Sequence, residues 1–136
     1  MHEVAKGSFN VTLDRERPYD SAEGVSLARI AIKKQFRGDL VGTSNGHMLS
    51  ATGVIPGSAG YVAIERVTCK LKGKSGSFVL QHSGRITHGQ GELAFSVVPD
   101  TGTRELTGLT GEMTVEIVGG RHVYTFAYSF RPTELQ

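Results

Sequence analysis

The residues of this chain that could do chemistry are few, and they sit inside apolar runs. In Gly60-Tyr61-Val62-Ala63-Ile64-Glu65-Arg66-Val67 an acid and a base are adjacent within an otherwise apolar segment. Neighbours on a strand point to opposite faces, so one of Glu65 and Arg66 looks inward and the other outward. The buried one needs a partner, because an unpaired charge in an apolar interior is strongly unfavourable. The sequence leaves open which one that is. In the following segment Phe78, Leu80 and His82 share a face, so apolar Phe78 and Leu80 carry His82 inward with them. Imidazole exchanges protons near neutral pH and a neighbouring carboxylate tunes it, which makes Glu65 and His82 the catalytic candidates. The competing reading of the same residues is structural: a buried ion pair and a core histidine bonded to a carboxylate.

A third set is aromatic. Tyr124, Phe126 and Tyr128 alternate with Thr125 and Ala127, so the rings lie on one side of a strand. Such a row is core in most proteins, but each buried phenol needs a hydrogen-bond partner. Together with Tyr61, Arg66, Phe78, Phe95 and Met113, the residues Tyr124 and Tyr128 make up the candidate ligand-binding set. An apolar pocket with a few convergent polar groups is the usual form of a small-molecule site. His122, next to Gly119-Gly120, belongs at its rim.

Other chemistries lack their motifs. The histidines, at 2, 47, 82, 88 and 122, show no His-x-His or His-x-x-x-His spacing, and Cys69 is the single cysteine. No metal is therefore expected, and no intrachain disulfide can form. There is no Gly-x-Ser-x-Gly elbow and no phosphate-binding loop, so neither covalent catalysis nor a cofactor is expected.

The elements that must position these residues are strands. Phe9, Val11 and Leu13 alternate with polar residues, as do Met113, Val115 and Ile117, while Leu93, Phe95 and Val97 alternate with smaller ones. A period of two with one apolar face marks a half-buried strand. Ser26 to Phe36 tolerates a helix, but its context favours a strand, and Asp20 to Gly24 reads as a loop or a single helical turn. Asn45-Gly46 and Gly119-Gly120 read as two-residue hairpin turns. Gly102 to Gly111 reads as a turn or bulge. About eight strands joined by short turns predict an antiparallel β-barrel, with a β-sandwich as the alternative.

Composition agrees with a single domain over residues 1–136, with a core from about 7 to 130. The chain has 136 residues, 38% of them hydrophobic, and 18 glycines, about twice ordinary usage. A formal charge of +2 is too balanced for an electrostatic nucleic-acid binder. No apolar run approaches the roughly 18 residues of a membrane span. The first residues show no apolar leader, so the expected compartment is the cytoplasm. The expected partner is a small hydrophobic molecule rather than nucleic acid or membrane, with a homo-oligomer, in its simplest form a dimer, as the candidate assembly. The small, mildly polar outer face of Val123, Thr125 and Ala127 suits such a contact.

Longer motifs add a resemblance. Gly38-Asp39-Leu40 with Gly42-Thr43-Ser44, then Gly57-Ser58-Ala59-Gly60 running into Tyr61 to Val67, then Gly76 to Gly84, Val97 to Thr103 and Leu106 to Gly111 occur in order. In these the chain resembles the family of bacterial proteins catalogued as DUF3224, from Gly7 to about Tyr128. The resemblance implies an all-β fold, a single closed eight-stranded antiparallel barrel similar to that of allene oxide cyclases and lipocalin-like in shape. It implies no activity. Three functions follow as expectations: binding of a small hydrophobic molecule inside the barrel, cofactor-independent isomerase or cyclase chemistry with Glu65 or His82 moving a proton, or a filled barrel serving in assembly.

Overall fold

In a computed structural model that describes residues 2–132, the alternating segments form nine strands. They are β1 (Glu3–Arg15), β2 (Asp20–Ala22), β3 (Val25–Gly38), β4 (Leu40–Thr52), β5 (Ala59–Leu71), β6 (Lys74–Thr87), β7 (Gln90–Val97), β8 (Leu109–Val118) and β9 (Arg121–Phe130). From β3 to β9 each strand runs antiparallel to the next, and β1 pairs with both β9 and β3. The sheet therefore closes on itself into an eight-stranded barrel, which rules out the sandwich alternative. The extra strand, β2, pairs with the start of β3 along the line that β1 leaves.

Local chemistry explains most of the joints. Glu23-Gly24 and Gly119-Gly120 both adopt positive φ at each residue, as a tight hairpin turn requires. Ser26 to Phe36 is strand throughout, within β3. Asp20 to Gly24 is neither loop nor helical turn: it holds β2 and its hairpin turn. The stretch from Gly102 to Gly111 contains a short 3-10 helix, Arg104–Leu106, before β8 begins.

One turn expectation is wrong. Asn45-Gly46 lies in the middle of β4, opposite Arg66 and Glu65. The long ladders to β3 and β5 override the local turn preference, and the glycine serves a packing need instead. A Cβ at Gly46 would collide with the carbonyl oxygen of Ile64 and the Cβ of Glu65. Strands β4 and β5 approach closely here, directly over the candidate acid.

The two ends of the barrel differ. At the end closed by the Gly38-Asp39 and Lys72-Gly73 turns, the interior is filled by Phe36, Phe78, Leu80, Tyr124 and Phe126, with Leu106 of the 3-10 helix buried among them. The other end is open on one side. Strands β7 and β8 pair at Phe95–Met113 and Ser96–Glu112, and beyond these rungs they part. The divergence leaves the inward-facing Leu93 and Ile117 at 50% and 69% exposure.

Candidate functional site

The period of two along β3 runs Ile30, Ile32, Lys34, Phe36 on the buried face, so a lysine is carried into the barrel. On β5 the same logic brings Tyr61, Ala63, Glu65 and Val67 inward, and on β6 Phe78, Leu80 and His82. These strands assemble a buried polar cluster in the middle of the barrel. Lys34 Nζ donates to Glu65 Oε2 at 2.8 Å, and Ser44 Oγ, from β4, donates to Oε1 at 2.7 Å. His82 Nε2 lies 2.6 Å from Glu65 Oε2, and Tyr61 Oη lies 3.1 Å from His82 Nδ1. No acceptor lies along the ring N–H direction at Nε2, so the Glu65 contact is close but poorly aligned for a hydrogen bond. Aromatic rings wall the cluster: Phe9 and Phe95 stand 4.8 and 5.1 Å from Lys34 Nζ, and His82 stacks on Phe95 at 4.5 Å.

The electrostatics follow from these contacts. Burial alone pushes the Glu65 carboxyl up, but His82, Lys34 and Ser44 outweigh it and hold the group down at about 2. Glu65 is thus an anion and Lys34 its counter-ion. A carboxylate oxygen beside Nε2 requires the proton on that nitrogen, since two lone pairs at such a distance repel. Tyr61 Oη and His82 Nδ1 share a hydrogen bond whose donor is set by where the ring carries its protons. Burial, with Glu65 nearby, raises the Tyr61 hydroxyl to about 12, so it stays protonated at neutral pH.

The cluster joins Glu65, His82 and Tyr61, and leaves out much of the rest of the candidate set. Arg66 points to the outer face and is exposed, which makes Glu65 the inward member of the pair and excludes Arg66 from an interior site. Phe78, Tyr124 and Tyr128 are buried in the packed core at the filled end. The Tyr124 hydroxyl is spent on backbone: it accepts from the Leu40 N–H at 2.9 Å and donates to the Arg37 carbonyl at 2.8 Å. Phe95 and Met113 form the last rung between β7 and β8, with Phe95 also a wall of the cluster. His122 is half-buried and stacks on Phe9. Lys34, Ser44 and Phe9 were not among the sequence candidates.

A recess of about 700 Å³ is lined by outward-facing Leu49, Val62, Arg85 and Glu92 and by inward-facing Tyr61 and Leu93. Tyr61 therefore belongs to both the recess and the buried cluster. A second hollow, of about 890 Å³, lies over the outer face at Leu49, Val62, Ile64, His47 and Gln81. Among the described residues no three His, Cys, Asp or Glu side chains gather as metal ligands would, and no helix is long and apolar enough to cross a membrane. Burial raises the Cys69 thiol to about 12, which makes it a poor nucleophile.

Comparison with known proteins gives a family and no reaction. The family described as "Protein of unknown function (DUF3224)" matches residues 5–128. The chain is similar, at 48% identity and with a TM-score of 0.93, to the crystal structure of a DUF3224 protein of unknown function from Shewanella oneidensis MR-1, over 98% of this chain and 100% of that one. No functionally curated protein matches.

Proposed function

The chain belongs to the DUF3224 family of proteins of unknown function, and from that premise we propose, on the geometry of the site, that it binds a small apolar molecule at the open end of the barrel with Tyr61 as its polar contact. One observation carries this reading: Tyr61 lines a recess of about 700 Å³ while its hydroxyl rests on a buried charged cluster. That volume falls within the roughly 300–1,000 Å³ of small-molecule sites. Buried charges contribute little to stability compared with apolar residues of the same shape, so a charged cluster beside a recess fits a role in recognition. Titration with the neutral dye Nile red tests the proposal. The protein gives a saturable fluorescence rise, and Leu93→Glu weakens it at least tenfold with the melting temperature unchanged, because Leu93 is half-exposed. Failure to saturate, or equal binding by the variant, overturns it.

The relay geometry favours a second reading, proton transfer without a cofactor. A bound ketone would lose a proton from the carbon next to its carbonyl to Tyr61 Oη, as the Tyr61 proton passes to His82 Nδ1. The C–H electron pair becomes the enolate, and the imidazolium so formed faces the Glu65 carboxylate. Return of a solvent deuteron to that carbon makes the step visible. In deuterium oxide, 2-tetralone exchanges faster with the protein than with buffer, and Tyr61→Phe and His82→Asn abolish the excess. Exchange unaffected by either substitution overturns this reading.

A further inference from the structure

We infer that the outer face of strands β3 to β7 binds a second copy of this chain, as a twofold dimer whose axis runs parallel to the strands between β5 and β6. Two observations carry this: large residues on that face stand opposite small ones about that line, and its charges are segregated to either side of it.

The strand registers set out the face in rows. One row reads Leu49, Val62, Ser83, Ala94 across β4, β5, β6 and β7, and the next reads His47, Ile64, Gln81, Ser96. Leu49, Val62 and Ile64 point away from the barrel interior and are 48%, 58% and 57% exposed. Adjoining aliphatic side chains in water, with no carboxylate, ammonium or guanidinium in either row, have the form of an interaction patch. The surface is dished rather than convex here, since the hollow of about 890 Å³ runs from Arg29 on β3 to Ser96 on β7.

The order of sizes selects the occupant. Each row is large on β4 and β5 and smaller on β6 and β7. A twofold axis along the strands lays β4 of one copy over β7 of the other, and β5 over β6. Leu49 then meets Ala94, Val62 meets Ser83 and His47 meets Ser96, each pair occurring twice. An axis across the strands would set Leu49 on Leu49 and leave the small side empty.

Charge selects the same axis. From Val25 to Thr87, the span of β3 to β6, the only acids are Asp39, in a turn, and Glu65, in the interior. Lys33 and Arg66 face outward there, whereas β7 and β8 present Glu92, Glu112 and Glu116 and no cation. The row of His47 continues to Ala31 on β3 and to Glu112 on β8. The twofold therefore places Glu112 of one copy over Ala31 of the other, between Arg29 and Lys33. Arg29 already holds Glu16 at 2.7 Å, while Lys33 and Glu112 have no ion pair among the described residues. The other axis would turn basic strands on basic strands.

Five strands about 4.8 Å apart, in rows about 6.7 Å apart, give a face of roughly 600 Å² per copy once side chains are included. About 1,200 Å² in total is the lower end for stable pairs and corresponds to micromolar dissociation. The face adjoins the recess through Leu49 and Val62, and it stands whether or not the recess takes a ligand.

Sedimentation equilibrium without added ligand tests this. At about 100 μM the wild type gives twice the 14.6 kDa of one chain, and dilution splits it. Ile64→Glu, at an exposed position outside the recess lining, raises the dissociation constant at least a hundredfold and keeps the wild-type circular dichroism. Thr125→Glu, on the outer face of β9, leaves the dimer intact. Lys33→Glu and Glu112→Lys each weaken it about tenfold, and the two together restore it. A single-chain mass at every concentration, which would assign the face to a different partner, overturns the inference. So does a mass of three or more chains, a dimer that survives Ile64→Glu, or a double exchange that restores nothing.

Discussion

Replacing Glu65 with methionine lowers the unfolding free energy by about 3–5 kcal/mol at pH 7, as measured by urea denaturation. The loss comes from what is left behind. Lys34 is 7% exposed, and without the carboxylate its ammonium sits between two aromatic rings with no counter-ion. Ser44 loses its acceptor, and His82 loses the carboxylate beside its ring. The double variant Lys34→Met with Glu65→Met removes both charges, and it recovers most of the loss because apolar residues of similar size fill the space. Such a cycle separates the cost of a stranded charge from the worth of the pair. A single-variant loss below about 1 kcal/mol would mean that Lys34 reaches water on its own, contrary to the burial described.

The same group gives the fold a pH signature. Glu65 titrates at about 2 in the folded protein against 4.5 when unperturbed. Its folded value is depressed, so the unfolded chain binds more protons between these limits. The stabilisation, on the order of 3 kcal/mol, is complete above about pH 4.5 and fades as the pH falls towards 2. Wild type loses stability across that window, and the double variant, with no carboxyl at 65, loses less.

How far the sequence discloses this site depends on what kind of information fixes each part. Alternation was enough to place His82 inward with Phe78 and Leu80, because a strand allows no other arrangement. It left Glu65 and Arg66 open, since Val67 and Ile64 are equally apolar and lie on opposite faces. The register of β5 between β4 and β6 settles that choice. Lys34 shares a face with Ile30, Ile32 and Phe36, so the signal for its burial was present in the alternation. The adjacent Lys33 lies on the opposite face and is exposed. Ser44 had no local signal, because its role depends on β4 passing close to β5 over Gly46. That glycine misleads in another way: the dipeptide favours a turn locally, but the ladder on either side decides. The aromatic row was legible as a face but not as core or cavity wall, since volume depends on how many rings arrive from other strands.

Phe126→Ala decides that last point, and its expected cost is about 3–5 kcal/mol. Phe126 is fully buried, stacked on Phe78 at 5.8 Å and on Tyr128 at 5.3 Å. In a close-packed interior the truncation loses both the transfer energy of the ring and its contacts, because the surrounding strands are held by continuous ladders and cannot collapse into the gap. A chamber already open to solvent behaves otherwise: the ring would be half-hydrated from the start, and removing it would cost less than about 2 kcal/mol. The cavity made in a filled barrel is apolar on all sides, so benzene stabilises the variant against heat and leaves the wild type unchanged. A small loss, or a benzene effect on both proteins, would move the ligand site down into the barrel beside Tyr124 and Tyr128. A large loss confined to the variant fixes the filled half as a rigid base. Strands β5 and β6 run from that base, through Val67 and Phe78, to the Glu65 carboxylate and the His82 ring, and its stiffness is what holds those two groups in register beneath Tyr61.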